Sequence, residues 1–101
     1  MIVINVEIKV GESGIDAVKE AIAAMESESR KEEGCLTYAF SVDVTDPTMM
    51  RITEWWSTEA HLKAHFGQPH MATFGAALGA IDILSMEARA FETGREVPLP
   101  I

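Results

Sequence analysis

Three histidines, His61, His65 and His70, carry the side chains of this chain best suited to moving protons near neutral pH. His65 borders an apolar helical stripe that includes Phe66, and His70 lies on the continuation of that stripe with Phe74. Both rings could therefore face a pocket between a helix and a sheet, where an imidazole can act as a general base. Alternatively, both residues are structural histidines that form hydrogen bonds in the core or at its rim, and the pattern favours neither interpretation.

A metal site needs more ligands than this pattern supplies. His61 and His65 are four residues apart, which places them on one helix face, but no third ligand is apparent nearby. We therefore predict no metal, and we expect His61 to face solvent.

Five further side chains could shape or assist such a pocket. Tyr38 could donate a hydrogen bond to a substrate oxygen, although core packing is the more common role of a strand tyrosine. Trp55 and Trp56 point to opposite faces of their strand, so one of them could form a wall against a flat aromatic ligand. Glu54 shares a face with Trp56 and could orient a histidine or reach the rim. Asn5 could bind an oxyanion only if its face of the first strand lines the pocket.

The first part of the chain predicts a strand, a helix and a second strand. Residues 2–10 alternate apolar and mostly polar side chains, the period of a half-buried strand. Ser13 and Asp16 resemble a capping box that opens a helix. The charged stretch 26–33 is interpreted as a solvated helix face that ends at Gly34. A period of two returns directly after this glycine.

The second part of the chain predicts a hairpin, an interrupted helix and a last strand. The signals in chain order are a turn at Asp46-Pro47, a strand from about Met49 to Trp56, a helix opened at Ser57 and restarted by Pro69 after Gly67, and a strand from Ile83 to Phe91.

The predicted order β-α-β-β-α-β is that of a ferredoxin-like α+β fold, with two helices on one face of a four-stranded antiparallel sheet. We expect the helices to cover the face of Leu36 and Tyr38. The opposite face would then carry Val3, Cys35, Ala39, Trp55 and Ile83. Because such a face is too apolar to leave in water, we predict a homodimer that packs sheet on sheet. Residues 1–91 form the predicted single domain, and residues 92–101 a C-terminal arm.

Composition and charge narrow the function classes. The chain has 101 residues, 48% hydrophobic and 24% charged, as is typical of one globular domain. A net charge of −8 disfavours nucleic acid and anionic membrane surfaces as partners. We expect no targeting or membrane-spanning segment, because no apolar run is long enough. The lone Cys35 cannot build a disulfide framework, so we expect a reducing cytoplasm.

Three segments carry a family likeness: Glu32–Asp43 (EEGCLTYAFSVD), Ile52–Ser57 (ITEWWS) and His61–Phe74 (HLKAHFGQPHMATF). Together they resemble the antibiotic biosynthesis monooxygenase domain family, and within it the small quinol monooxygenases. The resemblance implies a dimeric α/β barrel and, in many members, oxidation of a phenol or quinol by O₂ without metal, flavin or haem.

Haem-degrading relatives of that family use an Asn on the first strand together with a Trp and a His on the second helical segment. Asn5 matches the first of these positions, but Ala64 and Phe74 stand where the Trp and the His are expected. The resemblance therefore argues against haem degradation in this chain.

The function that follows is the oxidation of a small aromatic substrate by O₂ in a homodimer without a cofactor. We predict His65 or His70 as the base and Tyr38 and Asn5 as oxyanion partners. The predicted pocket is lined by Trp55, Trp56, Phe66, Phe74 and Glu54. Two alternatives stay open: a non-catalytic dimer that binds a small hydrophobic ligand, and a haem-binding or haem-degrading relative.

Overall fold

The computed structural model describes residues 1–101 as one antiparallel sheet of four strands with three helices. In chain order the elements are β1 (Ile2–Val10), α1 (Gly14–Arg30), β2 (Cys35–Asp43), β3 (Asp46–Trp56), α2 (Glu59–Phe66), α3 (Pro69–Leu78) and β4 (Ile83–Glu92). The spatial order β2-β3-β1-β4 is that of a ferredoxin-like fold, so the predicted fold class is confirmed. None of the helices combines the length and the apolar character needed to cross a bilayer.

The core lies between the helices and one face of the sheet. Every second residue of β1, starting at Ile2, is buried on that face. The register pairs Ile4 with Glu54 and Ile2 with Trp56, which places both β3 side chains on the helix-covered face as well. A carboxylate is therefore built into the apolar layer.

The predicted face assignment is wrong for three side chains. The register of β2 against β3 shifts between Cys35 and Thr37, so Cys35 packs against the core and Leu36 is exposed. A bulge reverses the alternation on one side of it. Ile83 also packs against the core, because it pairs with the buried Val10 beyond a second register shift.

The hairpin between β2 and β3 turns earlier than predicted. Asp43 pairs with Asp46, so the turn is made by residues 44–45 and Pro47 belongs to β3. The Asp43 carboxylate accepts the backbone N–H of Thr45 at 2.8 Å and stabilises this turn. Pro47 has no paired residue in either neighbouring strand, which is where a strand tolerates its missing N–H.

Helix α1 differs from its predicted ends. Ser13 is the N-cap, but its hydroxyl makes no capping hydrogen bond, so the predicted capping box is wrong. The helix ends at Arg30, and Glu32 lies in the turn that follows. This turn needs Gly34, which has a φ of 81° and whose missing side chain leaves room for the ring of His61.

The charged end of α1 is docked on the free edge of β2 rather than solvated throughout. Glu26 accepts the backbone N–H of Phe40 at 2.8 Å, and Arg30 Nε donates to the carbonyl of Tyr38 at 2.8 Å. The two side chains thereby occupy backbone groups that an edge strand leaves open. This docking holds the turn that carries Glu32 over the sheet.

The predicted interruption of the second helical segment is confirmed. Thr58, rather than Ser57, caps α2 by accepting the His61 N–H at 3.2 Å. Pro69 stands in the first turn of α3, where its missing N–H costs nothing. Phe66 is 63% exposed, so its predicted place on a core stripe is wrong.

The outer face of the sheet is apolar at one end and charged at the other. Val3 pairs with Trp55 and with Phe91, and the two aromatic rings are exposed. Arg51, on the same face, donates to Glu7 at 2.9 Å and to Asp43 at 2.8 Å. Beyond β4, residues 93–101 form no helix or strand.

Candidate functional site

Glu32, His65 and His70 meet where the turn after α1, the end of α2 and the start of α3 come together. Glu32 Oε2 lies 2.6 Å from His65 Nδ1 and 2.7 Å from His70 Nε2. One carboxylate oxygen thus accepts from both rings, which assigns a proton to each of these nitrogens. The nitrogens left free by Glu32 are His65 Nε2 and His70 Nδ1.

His65 is enclosed by the core. Its side chain is 1% exposed, and its ring centroid lies 4.6 Å from that of Trp56 and 5.6 Å from that of Tyr38. Its Nε2 lies 3.9 Å from Glu54 Oε1, and this oxygen accepts the indole N–H of Trp56 at 3.0 Å. His65 is therefore held between two carboxylates, one on each ring nitrogen.

Burial dominates the acid-base behaviour of the groups around His65. It raises the pKa of the Glu54 carboxyl, against the opposing effects of the Trp56 hydrogen bond and the His65 charge. It also raises the pKa of the Tyr38 phenol far above its usual value, and the nearby Glu54 charge adds to this. Tyr38 therefore stays protonated, so its hydroxyl can donate a hydrogen bond but cannot act as a phenolate base.

Cys35 shares this environment but is not activated by it. Burial raises the pKa of its thiol, and the charges of Glu32 and Glu54 raise it further. A nucleophilic cysteine needs the opposite shift. We assign no reaction to this thiol.

A cleft of about 780 Å³ opens between α1 and the α2–α3 segment, directly above the histidines. Glu32 and His70 line it, together with the apolar Met25 and Phe74. His65 lies beneath this lining rather than in it. His61 lines the cleft as well, with its Nδ1 held by the hydroxyls of Ser57 and Thr58. Of the two histidines bound to Glu32, His70, with a side chain 15% exposed, is the one that a molecule in the cleft can touch. The volume is of the size that small-molecule sites use.

The structure brings some of the predicted site residues together and separates others. Tyr38, Glu54 and Trp56 surround His65, and Phe74 lines the cleft. Asn5 is exposed and pairs with Thr53 on the outer face of the sheet, away from both histidines. Trp55 lies on that same outer face, and Phe66 does not line the cleft.

Glu32 is not among the site residues that the sequence predicts, because the charged stretch around it is typical of a solvated helix face. Its side chain is only 10% exposed. The signal was present in the spacing of the buried α1 residues Val18, Met25 and Ser29, which follow steps of seven and four. A further step of three reaches Glu32, so the buried stripe of α1 continues into the turn.

Comparison with known proteins assigns the family. Residues 1–77 match the family model described as "Antibiotic biosynthesis monooxygenase". The chain belongs to the antibiotic biosynthesis monooxygenase family. Membership supports a monooxygenase-type function for it.

Individual proteins extend the likeness over nearly the whole chain. The protein "Probable quinol monooxygenase YgiN" of Escherichia coli K12 is 30% identical over 101 residues, covering 92% of this chain and 96% of that protein. A solved Deinococcus radiodurans structure, described as a candidate family member, has a TM-score of 0.90 at 21% identity and covers 98% of both chains. The structure of Rv0793 from Mycobacterium tuberculosis has a TM-score of 0.84 at 18% identity, covering 96% of this chain and 98% of that one. The two structures show that the fold is shared.

Proposed function

We propose that this protein is a monooxygenase that oxidises a small phenol or quinol with O₂, in the cleft and without a cofactor. Family membership and the relative named a probable quinol monooxygenase support this reaction class. The observation that carries the assignment to the cleft is the contact of Glu32 with both imidazoles at its floor.

In this proposal His70 is the base that removes the substrate's hydroxyl proton. Its Nε2–H is held by Glu32, so the lone pair on Nδ1 is available to a substrate in the cleft. Protonation of Nδ1 creates an imidazolium, which the adjacent Glu32 carboxylate stabilises. Glu32 is therefore a positioning residue for His70.

His65 acts behind Glu32 rather than on the substrate. Its Nδ1–H donates to the same Glu32 oxygen at 2.6 Å, and its ring is locked against Trp56. This contact holds the carboxylate in the one orientation that also reaches His70. A positioning role for His65 accounts for its almost complete burial.

The proposed chemistry uses the substrate as the reductant. The phenolate formed by His70 passes one electron to O₂, and the resulting phenoxyl radical and superoxide combine at a ring carbon. The peroxide takes up a proton, the base removes the hydrogen of that carbon, and the O–O bond breaks to release water. One oxygen atom stays on the ring as a quinone carbonyl and the other leaves in the water. The substrate thus supplies both of the electron pairs that reduce O₂.

Met25 and Phe74 give part of the cleft apolar surface, and Lys31, Glu28 and Glu33 line it as well. A substrate that covers the apolar part would displace water from it. A drier site strengthens the interaction of the phenolate with the imidazolium. We further propose that a second copy covers the apolar end of the outer face at Trp55, that the arm 92–101 lies on that copy, and that the protein works in the cytoplasm.

Oxygen uptake with menadiol, corrected for autoxidation, tests this function. We expect the wild type to accelerate uptake and His70→Gln to lower the rate by about 10²-fold or more, the usual contribution of a general base. The matched pair Glu32→Gln and Glu20→Gln removes one carboxylate each, and Glu20 is exposed on α1 outside the cleft. Only the first of this pair should lose activity.

Two results would contradict the proposal. Equal rates for the wild type and His70→Gln would exclude His70 as the base. No protein-dependent uptake across a panel of phenols and quinols, with one of them still binding in the cleft, would instead favour the non-catalytic ligand-binding protein.

A further inference from the structure

We propose that Glu32, His65 and His70 form a binding site for one divalent transition-metal ion. Each residue offers one ligand atom, Glu32 Oε2, His65 Nδ1 and His70 Nε2, and these atoms lie within 4.8 Å of one another. Two imidazoles and one carboxylate on three separate segments form a ligand set that suits zinc, iron(II), cobalt and nickel.

The present spacing of the ligand atoms is close to what a metal ion requires. The two nitrogens now hold Glu32 through hydrogen bonds of 2.6 and 2.7 Å. An ion bonded at about 2.0–2.2 Å to each atom in tetrahedral geometry would separate nitrogen and oxygen by about 3.3 Å. Each Glu32 contact must therefore lengthen by about 0.7 Å, and the two ring nitrogens, which lie within 4.8 Å of each other, must come to about the same 3.3 Å. The proton that each nitrogen shares with Glu32 moves to the other nitrogen of its ring.

The second ring nitrogen of His65 has the partner that metal-bound histidines usually have. Glu54 Oε1 lies 3.9 Å from His65 Nε2, and Glu54 is itself held by the indole N–H of Trp56. A carboxylate in this place orients the ring and makes it a better ligand. Glu54 would draw closer once the ion occupies Nδ1 and the one proton of the His65 ring moves to Nε2, which faces Glu54.

The negative charge around the cluster also favours a bound cation. Glu32 and Glu54 are nearly buried on either side of His65, and neither forms an ion pair with a lysine or arginine. The partly exposed carboxylates of Glu7, Asp43 and Asp46, in contrast, are paired with Lys9 or Arg51. A divalent ion bound to Glu32 would compensate the negative charge of this nearly buried carboxylate, which now has only two imidazole N–H groups as partners.

The cleft supplies both an entry path and an open coordination position. Glu32 and His70 line it, so an ion can reach their atoms from solvent, and the fourth position faces the cleft. Three protein ligands with an open fourth position distinguish this arrangement from a closed structural site.

An ion at this site would oppose the proposed base. Metal bonding at His70 Nε2 leaves the ring's one proton on Nδ1, so the lone pair that takes the substrate proton is lost. This consequence rests on the proposed function, whereas the binding site does not.

Calorimetric titration of the untagged full chain with Zn²⁺ tests the site. A titration with Co²⁺ adds a second measurement, since a four-coordinate cobalt ion absorbs visible light. We expect one ion per chain. Glu32→Gln and His70→Gln should abolish saturable binding, and Glu54→Gln should weaken it by about 10–100-fold. His61→Gln should leave it unchanged. Circular dichroism of each variant checks that the fold is retained. Because His65 is a core residue whose replacement would disturb the fold itself, Glu32 and His70 are the positions to change first.

The site is excluded if the wild type shows no saturable binding, or if Glu32→Gln and His70→Gln bind as tightly as the wild type. Oxygen uptake is measured in parallel with and without Zn²⁺. Saturable binding with unchanged uptake would support the metal site and contradict His70 as the base. Uptake that depends on His70, without any metal binding, would do the reverse.

Discussion

The inner and outer faces of the sheet both carry acidic groups, but the two faces use them differently. On the outer face Arg51 binds Glu7 and Asp43, and all three side chains are partly exposed. On the inner face Glu32 and Glu54 flank the buried ring of His65 and have only histidine and tryptophan as partners. The same type of charge is balanced by permanent cations on one face and by titratable rings on the other.

This difference separates groups that tie strands together from groups that can do chemistry. An exposed ion pair is screened by water and contributes little to stability. A buried carboxylate without a fixed cation must hold its charge through shared protons or a bound ion, which is what acid-base catalysis and metal binding need. The inner face is therefore where function should be tested, and the outer face provides the controls.

The adjacent pair Trp56→Ala and Trp55→Ala should show the largest contrast between the faces. Trp56 is fully buried against His65, so its truncation should lower the free energy of unfolding by about 3–5 kcal/mol. Trp55 is 41% exposed, so Trp55→Ala should lower the free energy of unfolding of a single chain by less than Trp56→Ala does. Urea denaturation measures both, and similar losses at every protein concentration would contradict the contrast. A Trp55→Ala loss that grows at high protein concentration would indicate that a second copy covers this residue.

Replacing Glu54 should lower the free energy of unfolding by less than Trp56→Ala does, by an amount that depends on the new residue. Glu54→Ala leaves the buried indole N–H of Trp56 without an acceptor, a loss of about 1–3 kcal/mol. Glu54→Gln keeps an acceptor oxygen and should cost less than the alanine variant in the same urea experiment. If the two variants lose the same stability, the hydrogen bond to Trp56 is not the reason for the buried carboxylate.

The ion pairs outside the core should show the smallest effect, and this effect should disappear in acid. Lys9 and then Thr48 hold the pKa of Asp46 at about 2. A lowered pKa means that this carboxylate stabilises the fold above its unfolded pKa of about 3.9, and that the contribution disappears as the pH falls through about 2. Asp46→Asn should therefore lie below the wild type at neutral pH and converge with it near pH 2. Urea midpoints across this range measure the difference, and parallel curves would refute it.

Much of the fold could be predicted from the sequence because its signals are local. Alternation in residues 2–10 and Pro69 at a helix start each depend on neighbouring positions only. The misplaced features have non-local causes. A register shift in β2 put Cys35 inside and Leu36 outside, and the pairing of Asp43 with Asp46 moved the hairpin turn.

The candidate site could be predicted in part, for the same reason. Residue type and face predict five site residues that the structure places together: His65, His70, Tyr38, Glu54 and Trp56. Asn5 and Trp55 were named by the same reasoning, but strand parity on β1 and β3 turns them to the other face. Glu32 was overlooked because a charged stretch next to a helix end looks solvated until the turn after that helix is known.

The sequence by itself determined the element order, the buried face of β1 and the residue types available for proton transfer, since these depend on side-chain chemistry and short spacings. Only the tertiary structure decided that one oxygen of Glu32 joins two histidines 33 and 38 positions away in the chain. Such a contact depends on how the end of one helix meets two others above a sheet, and no local period encodes that distance.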